Sequence, residues 1–549
     1  VSDVALVATA ALVALFAYLG VAVPFPLLAA AVVLAIVHRR PVEAAVALAL
    51  VAGGRSDASS AALEAPLPDR VSGVAQLVGD PEPGRFGTTV ELRVGGRRWQ
   101  AQVDRDDEWV VRPLMMGDHV VVTGRPSPFR GAPVGWVRSR HLAGRLAVSQ
   151  ITRGPPAAPW FEAANGVHRL IAGGAASFDA DARALYLGLV LGDDRAQSDL
   201  EQFRFRATGL GHLLAVSGQN VAFVLLLARP LLVRCGLRTR WIVGLAVLVG
   251  FVLLTRAEAS VLRAAAMAAV AIGAATSGRL LSGARILSIA LIGLLLTDPL
   301  LVMGLGFQLS VCATVGLLIG TRPLAERLRG PRWVVDALAC TMAAQLATAP
   351  LLLLLDGGVP SVATIANVLA VPVAGAVMVL GLTVGVLAGL LVVPAASLLQ
   401  CPSRLLVGWV QWVAATGSRT PLPLLGPLRL AMAVAAAGLV VARRRRRWPL
   451  VPATALAVAA LWPVPAPSGP TEVAPGVEVC GEAVVLARSV DVVEALEALQ
   501  LAGVVRADVV VGPPSDSSAQ VAEQLGAVLR FAPPEGPAAA SEAPCTVAP

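Results

Sequence analysis

Four short polar insertions interrupt otherwise apolar stretches of the sequence and carry most of the side chains there that could do chemistry. The densest runs from Thr208 to Val221 and contains Gly209, His212, Ser217, Gly218, Gln219 and Asn220. The others are Ser260 to Ala264 with Arg263, Gly304 to Ser310 with Gly306, Phe307 and Gln308, and Gln345 to Pro350. A polar group inside an apolar run must be satisfied, so it marks either a pathway or a helix contact. None of the four insertions has metal-ligand spacing. Together they supply a cation, amides and hydroxyls but few acids, which suits an anionic or uncharged substrate better than a cation or proton route. Taken singly, each reads as interhelical hydrogen bonding with close glycine packing. Taken together, they read as the lining of one cavity.

The elements that must position these residues are membrane helices. The chain has 549 residues, 56% of them hydrophobic and only 15% charged, with a mean hydropathy of +0.73. That composition leaves too little polar surface for a soluble enzyme and excludes disorder and collagen. Apolar runs recur from Val4 to Trp462, many near the roughly 20 residues that span a bilayer, so roughly ten to thirteen spans are expected. All 44 basic residues are arginine. Without lysine there is no Walker A loop, Schiff base or pyridoxal phosphate anchor, so energy from ATP would have to come from a partner.

Four regions follow, with boundaries at 1–63, 64–152, 153–465 and 466–549. The first reads as transmembrane helices, a hairpin broken at Gly20, Pro24 and Pro26 and then a short run from Val42 to Ala52. Its Asp3 and lack of a basic start point to a retained anchor rather than a cleaved signal. His38, Arg39 and Arg40 should stay cytoplasmic, which sends the next region outside.

That second region turns strand-like: Val71 to Val78, Thr88 to Val94, a Gly95-Gly96 turn, Arg97 to Val103, Asp118 to Thr123, and a strand around Val134 to Val137. About five short strands suit a small OB-like barrel. Arg93, Arg97, Arg98 and Trp99 could form a face for single-stranded nucleic acid, but Asp104, Asp106, Asp107 and Glu108 follow at once, and a solvated hairpin is the preferred reading.

The third region is helical, with the length from Val362 to Val393 allowing two short or broken helices. The arginines 443–447 should be cytoplasmic, and the run Leu450 to Trp462 should carry the tail outward. The fourth region reads as a small α/β unit, with strands around Val477 to Leu486 and at Ala507 to Val511 and helices at Val492 to Leu501 and Ala519 to Leu525. From Thr471 onward it has eleven acidic residues against three arginines, a poor grip for a phosphate backbone. Cys480 and Cys545 could pair only if the tail is exported, whereas Cys235, Cys312, Cys340 and Cys401 lie in or beside apolar runs.

The string His212 to Gly218 resembles the signature of ComEC-type competence proteins, the inner-membrane channel family for DNA uptake. Gly188, Leu191, Gly192 and Asp193 upstream, Ser260 to Ala264, Asp298-Pro299 with Gly306 to Ser310, and Thr348 to Pro350 are similar to further blocks in the same order. The resemblance implies a channel for single-stranded DNA, with His212, Ser217, Gly218, Gln219, Asn220, Arg263, Gln308, Ser310 and Gln345 along the path. Gly192, Asp193, Gly209, Ser260, Gly306, Phe307 and Pro350 would be motif or structural positions. It implies as partners DNA, the bilayer, a DNA-binding receptor outside and a helicase-like ATPase in the cytosol; self-association into a homo-oligomer is left open.

Two departures stand out. Gln219-Asn220 replaces a frequent Leu-His pair, removing a titratable group. Many family members end in a metallo-β-lactamase-like nuclease, but here the stretch after Val511 reads Gly512-Pro513-Pro514-Ser515-Asp516, and all five histidines precede the tail. The tail is therefore expected to be a degenerate, truncated remnant: no enzyme, no cofactor and no metal. The rival readings are a secondary transporter or exporter of a small solute or envelope precursor, and a scaffold holding the barrel. Against the transporter stand the lack of a clear internal repeat and the scarcity of acids in the membrane runs.

Overall fold

The computed structural model describes residues 3–20, 41–84, 87–214, 216–355, 358–420, 422–442, 456, 459–461, 471–480, 482–486 and 490–531. The second half of the expected N-terminal hairpin with Pro24, Pro26, Arg39 and Arg40, the arginines 443–447 and nearly all of the last expected span lie outside the described residues. Helix α1 (Asp3–Leu19) ends at Gly20, whose φ of 59° stops the helix. The expected run from Val42 to Ala52 is part of one 24-residue helix, α2 (Pro41–Glu64).

A closed barrel follows. Its strands are β1 (Val71–Leu77), β2 (Gly87–Val94), β3 (Arg97–Val103), β4 (His119–Ser127) and β5 (Leu142–Arg153), with a short strand Glu82–Gly84 on the edge of β2. β1 pairs with β2 and β4, β2 with β3, and β4 with β5, all antiparallel, while β3 and β5 run parallel. The order is therefore 1-2-3-5-4-1. Gly95 and Gly96, at φ 56° and 81°, make the two-residue turn between β2 and β3. Alternating residues fill the interior, among them Val90, Leu92, Ala101, Val120, Val122 and Leu146.

One alternative drops out and one expectation is corrected here. Trp99 is only 2% exposed and belongs to the barrel core, so it offers no aromatic face with Arg93, Arg97 and Arg98. The strand expected around Val134 to Val137 is a helix, α3 (Val134–Ser139), which starts after Pro133; the fifth strand is β5.

The helical body begins with α4 (Pro159–Gly174), started by a proline at its first position, and α5 (Ala180–Leu191). Asp179 caps α5 by accepting from the Ala182 amide, and Gly192 ends it at φ 78°. Helix α6 (Asp199–Ala207) is amphipathic, capped by Ser198, with acids in its first turn and Arg204 and Arg206 in its last, both favourable to its dipole. Next come α7 (Gly218–Leu232), α8 (Leu237–Leu254), α9 (Ala259–Thr276), α10 (Gly283–Thr297), α11 (Leu305–Ala325), α12 (Arg332–Leu355), α13 (Ala363–Leu380), α14 (Cys401–Ser418) and α15 (Pro427–Ala442).

Among the described residues five helices are long and apolar enough to cross a membrane: Leu237–Leu254, Ala259–Thr276, Leu305–Ala325, Arg332–Leu355 and Ala363–Ala388. Three shorter apolar helices accompany them, Asp3–Leu19, Gly218–Leu232 and Gly283–Thr297. The stretch that could have been two helices continues from α13 through a π-turn, Gly381–Gly385, into Val386–Ala388. Glycine is needed in that turn: a Cβ at Gly381 would lie 2.3 Å from Val190, and the Tyr186 hydroxyl crowds Gly385.

Successive helices α7 to α13 are joined by short links, so the start of α7, end of α8, start of α9, end of α10, start of α11, end of α12 and start of α13 share one face. The barrel sits on that face, where Asp80 meets Arg256, His141 meets Asp298, and Gly135 packs on the Met303 carbonyl.

The tail sits there too. The two-residue strand Leu424–Leu425 after α14 pairs with Val359–Pro360 before α13, and Ser418 and Arg419 at the end of α14 bond Gln524 and Glu523 of the tail. The tail itself is a five-stranded mixed sheet of β6 (Thr471–Ala474), β7 (Val477–Cys480), β8 (Ala483–Leu486), β9 (Val509–Gly512) and β10 (Val528–Phe531), with α16 (Val492–Leu501) and α17 (Asp516–Leu525). β6 and β10 go beyond the strands expected from sequence.

Candidate functional site: a polar cleft at the start of α7

The segment between α6 and α7 folds back because glycine permits it. Gly209 has φ 68° and packs so tightly that a Cβ would lie 2.5 Å from that of Ala363. A 3₁₀ turn, Gly211–Leu213, carries His212, which is exposed. Leu213, Leu214 and Val216 are buried and pin the segment to the body. Gly192 is part of the same fit: a Cβ there would lie 2.5 Å from Val216 Cγ2.

Ser217 then precedes α7. Its side chain does not cap the helix; its hydroxyl donates to Asn220 Oδ1 at 3.3 Å, and Asn220 Nδ2 reaches the Leu189 carbonyl at 3.5 Å. Ser217, Gln219 and Asn220 line a small cleft of about 20 Å³ together with Leu189, Leu213, Phe223 and the α13 residues Val371, Ala374 and Gly375. The cleft thus offers a hydroxyl and two amides against apolar walls at the positive end of a helix dipole, an arrangement that favours an anionic or strongly polar guest.

A cation stands behind it. Arg263, 7% exposed, donates from Nε to Ser310 Oγ at 2.8 Å, and a Cβ at Gly218 would lie 2.9 Å from its Nη2. Only glycine at 218 lets this guanidinium approach the start of α7. Ser260 ties the two helices by donating to the Val216 carbonyl at 2.6 Å.

Ser217, Gly218, Gln219, Asn220, Ser260, Arg263 and Ser310 therefore converge. The other sequence candidates do not join them. His212 is absent from the cleft wall, Gln308 donates to the Val302 carbonyl, and Gln345 accepts from Thr364 across α12 and α13. Phe307 is buried against α1, α2 and α10, Gly306 has open space beside it, and Pro350 lies within α12.

Asp193 belongs to a second polar assembly, which sequence reasoning missed. Arg195 forks onto both its oxygens at 2.7 Å, and His168 Nε2 lies 3.3 Å from it. Asp80 of the barrel receives Arg256 Nε at 2.9 Å and stands 3.5 Å from Arg195, while Arg256 Nη1 also donates to Asn165 at 2.8 Å. Burial works to raise the Asp193 pKa, but the bonds from Arg195 and then His168 overcome it and hold the carboxyl well below the usual range.

Asp80, His168 and Asp193 bring three ligating atoms within 4.8 Å of one another, the reach of a metal site. Two guanidiniums already balance the two carboxylates there, so the chemistry is that of a charged joint between barrel and helices. The signal available in the sequence was Gly192-Asp193-Asp194-Arg195 breaking an apolar helix, together with His168 inside an amphipathic one.

Comparison with known proteins gives one match: residues 189–447 fit the family described as Competence protein. No curated protein and no solved structure matches the chain.

Proposed function

With residues 189–447 belonging to the Competence protein family, we propose that this chain is a channel passing single-stranded DNA across the cytoplasmic membrane during DNA uptake. The observation that carries the reading is the cleft at the start of α7, where neutral donors face an opening and one buried arginine stands behind them. A DNA strand is a polyanion, so its path needs positive potential and scattered donors without a deep trap. Ser217, Gln219 and Asn220 supply the donors and Arg263 the potential. The cleft is too small for a strand, so passage requires α7 and α13 to part where Phe223 packs on Gly375.

The barrel and the tail belong outside in this reading. Far-face links carry Arg234, Arg279, Arg327 and Arg329, whereas the barrel-side links 255–258 and 298–304 between them carry only Arg256, and positive charge stays cytoplasmic. Cys480 is disulfide-bonded, which suits an oxidising compartment. The closed 1-2-3-5-4-1 order with a parallel β3–β5 pair supports an OB-type barrel.

The absence of lysine leaves movement to a cytosolic helicase-like ATPase, and delivery to a receptor outside. The tail is a non-catalytic remnant in this reading: Asp516 sits exposed in the first turn of α17, where an acid favours the helix dipole. A deletion strain complemented with the intact gene or with a Ser217-to-Asn220 alanine block tests the channel. Labelled DNA should reach the cytoplasm only with the intact chain, at equal protein levels; full uptake with the block would refute it.

A further inference from the structure

The tail is held on the helical body by a second joint, distinct from the cleft and independent of the DNA reading. Helix α6 is its anvil: Leu200, Phe203 and Ala207 enter the tail's own hydrophobic core. Around that contact Arg204 bonds Glu523 at 2.7 Å and Gln524 at 3.1 Å, the Leu200 amide bonds Gln520 at 3.2 Å, and Arg206 pairs with Glu497.

In the middle of this joint lies a carboxyl that the contacts leave half satisfied. Glu201 is 6% exposed. Its Oε1 accepts from Gln411 Nε2 of α14 at 3.2 Å, whereas its buried Oε2 has no hydrogen-bond partner among the described residues. A charged carboxylate with one bare oxygen in a dry site is expensive, and the neutral acid much less so.

We propose that Glu201 is a proton-binding site whose occupancy sets how firmly the tail is clamped to α6 and α14. The groups that face it fit this role. Arg204 of its own helix favours the charged form, as does the amide of Gln411, while Asp181 of α5 and Glu523 of α17 oppose it. Burial outweighs them and pushes the carboxyl up to about 7. In this proposal undocking withdraws α17 with Glu523 and opens Glu201 to water, which returns it toward its ordinary value of 4.5. The docked state thus binds the proton more tightly, so docking is firmest in acid, weakens as pH rises between those two values, and stays weak above about 7. The full separation corresponds to roughly three-hundredfold in the docking equilibrium.

The test uses the full chain in lipid nanodiscs and reads hydrogen exchange of the amides in 199–207 and 516–525, corrected for the intrinsic pH dependence of exchange. Protection should fall by up to about a hundredfold from pH ~5 to ~7.5. In Glu201→Gln it should hold level across that window, and the infrared band of a protonated carboxyl should disappear. Gln411→Leu removes the bond that favours the charged form, so its transition should move to higher pH. Flat protection in the parent chain, an unchanged slope in Glu201→Gln, or an unmoved midpoint in Gln411→Leu would each overturn the proposal.

Discussion

The cleft at the start of α7 and the joint beneath the barrel are both polar assemblies at one face of an apolar body, yet they use their hydrogen-bonding capacity in opposite ways. In the joint, the carboxylates of Asp80 and Asp193 are paired with Arg195 and Arg256, and only His168 Nδ1 and Arg256 Nη2 keep no hydrogen-bond partner among the described residues. In the cleft the polar groups are neutral and thinly bonded, and the cation, Arg263, hydrogen-bonds only Ser310 and Met267 among the described residues. A network of paired charges fixes two bodies; neutral donors around a cleft can accept something that moves. Charge density alone would have pointed to the wrong assembly.

The contrast is sharpest when the joint is cut. Arg256→Ala takes the nearest cation from buried Asp80, leaving it the Met116 amide at 2.7 Å and Arg195 at 3.5 Å, and should cost about 3 kcal/mol. Thermal unfolding in detergent should register that loss as barrel and helices separate. The joint should also resist pH. Asp193 is held below its ordinary value, so its contribution is present above that value and fades only as pH falls through its folded pKa in strong acid. Between about pH 5 and 8 the arginine pairing of Asp193 should therefore keep its full contribution while the tail side loosens.

In the cleft the effect should fall on transport and spare folding. Arg263→Gln keeps a donor for Ser310 but removes the charge, so uptake of labelled DNA should drop about tenfold, near 1.4 kcal/mol, at unchanged membrane insertion. Normal uptake by this variant would reassign the arginine to helix packing. An effect of similar size, but on stability, is expected where the two assemblies adjoin. Gly192 has φ 78° and no room beside Val216, so Gly192→Ala should cost about 1 to 2 kcal/mol, read as a lower melting temperature with both polar sets loosened together.

Local chemistry was what the sequence disclosed. Gly95-Gly96 between alternating apolar residues wrote the β2–β3 hairpin, and the tail helix Val492–Leu501 was legible from its apolar spacing. Val134 to Val137 misled because alternation in four residues cannot outweigh a preceding proline, and the α3 turn is fixed by packing on Met303 and Gly304. Ser217 to Asn220 lie together because those residues are neighbours in the chain; Arg263 approaches them from α9, whereas Gln308 and His212 stay apart. The joint stayed hidden because Asp80, His168, Asp193 and Arg256 come from four separate elements, and only the three-dimensional fold shows that their charges cancel.

The smallest effect belongs to the tail, where none is expected. A nuclease working with two metal ions needs several converging imidazole or carboxylate ligands to activate water and to hold the ions about 3.5 to 4 Å apart. The tail has no histidine, and Asp516 lies exposed in the first turn of α17, whose Ser515 cap accepts from the Ser518 amide. Its excess of acids repels a phosphate backbone besides. The full chain in nanodiscs, given single- or double-stranded DNA with magnesium, manganese or zinc, should leave the DNA intact, and Asp516→Ala should change nothing but a few tenths of a kcal/mol of helix stability. Metal-dependent cleavage that vanishes in Asp516→Ala would make the tail a living active site, and would turn this dipole-side acid into a ligand.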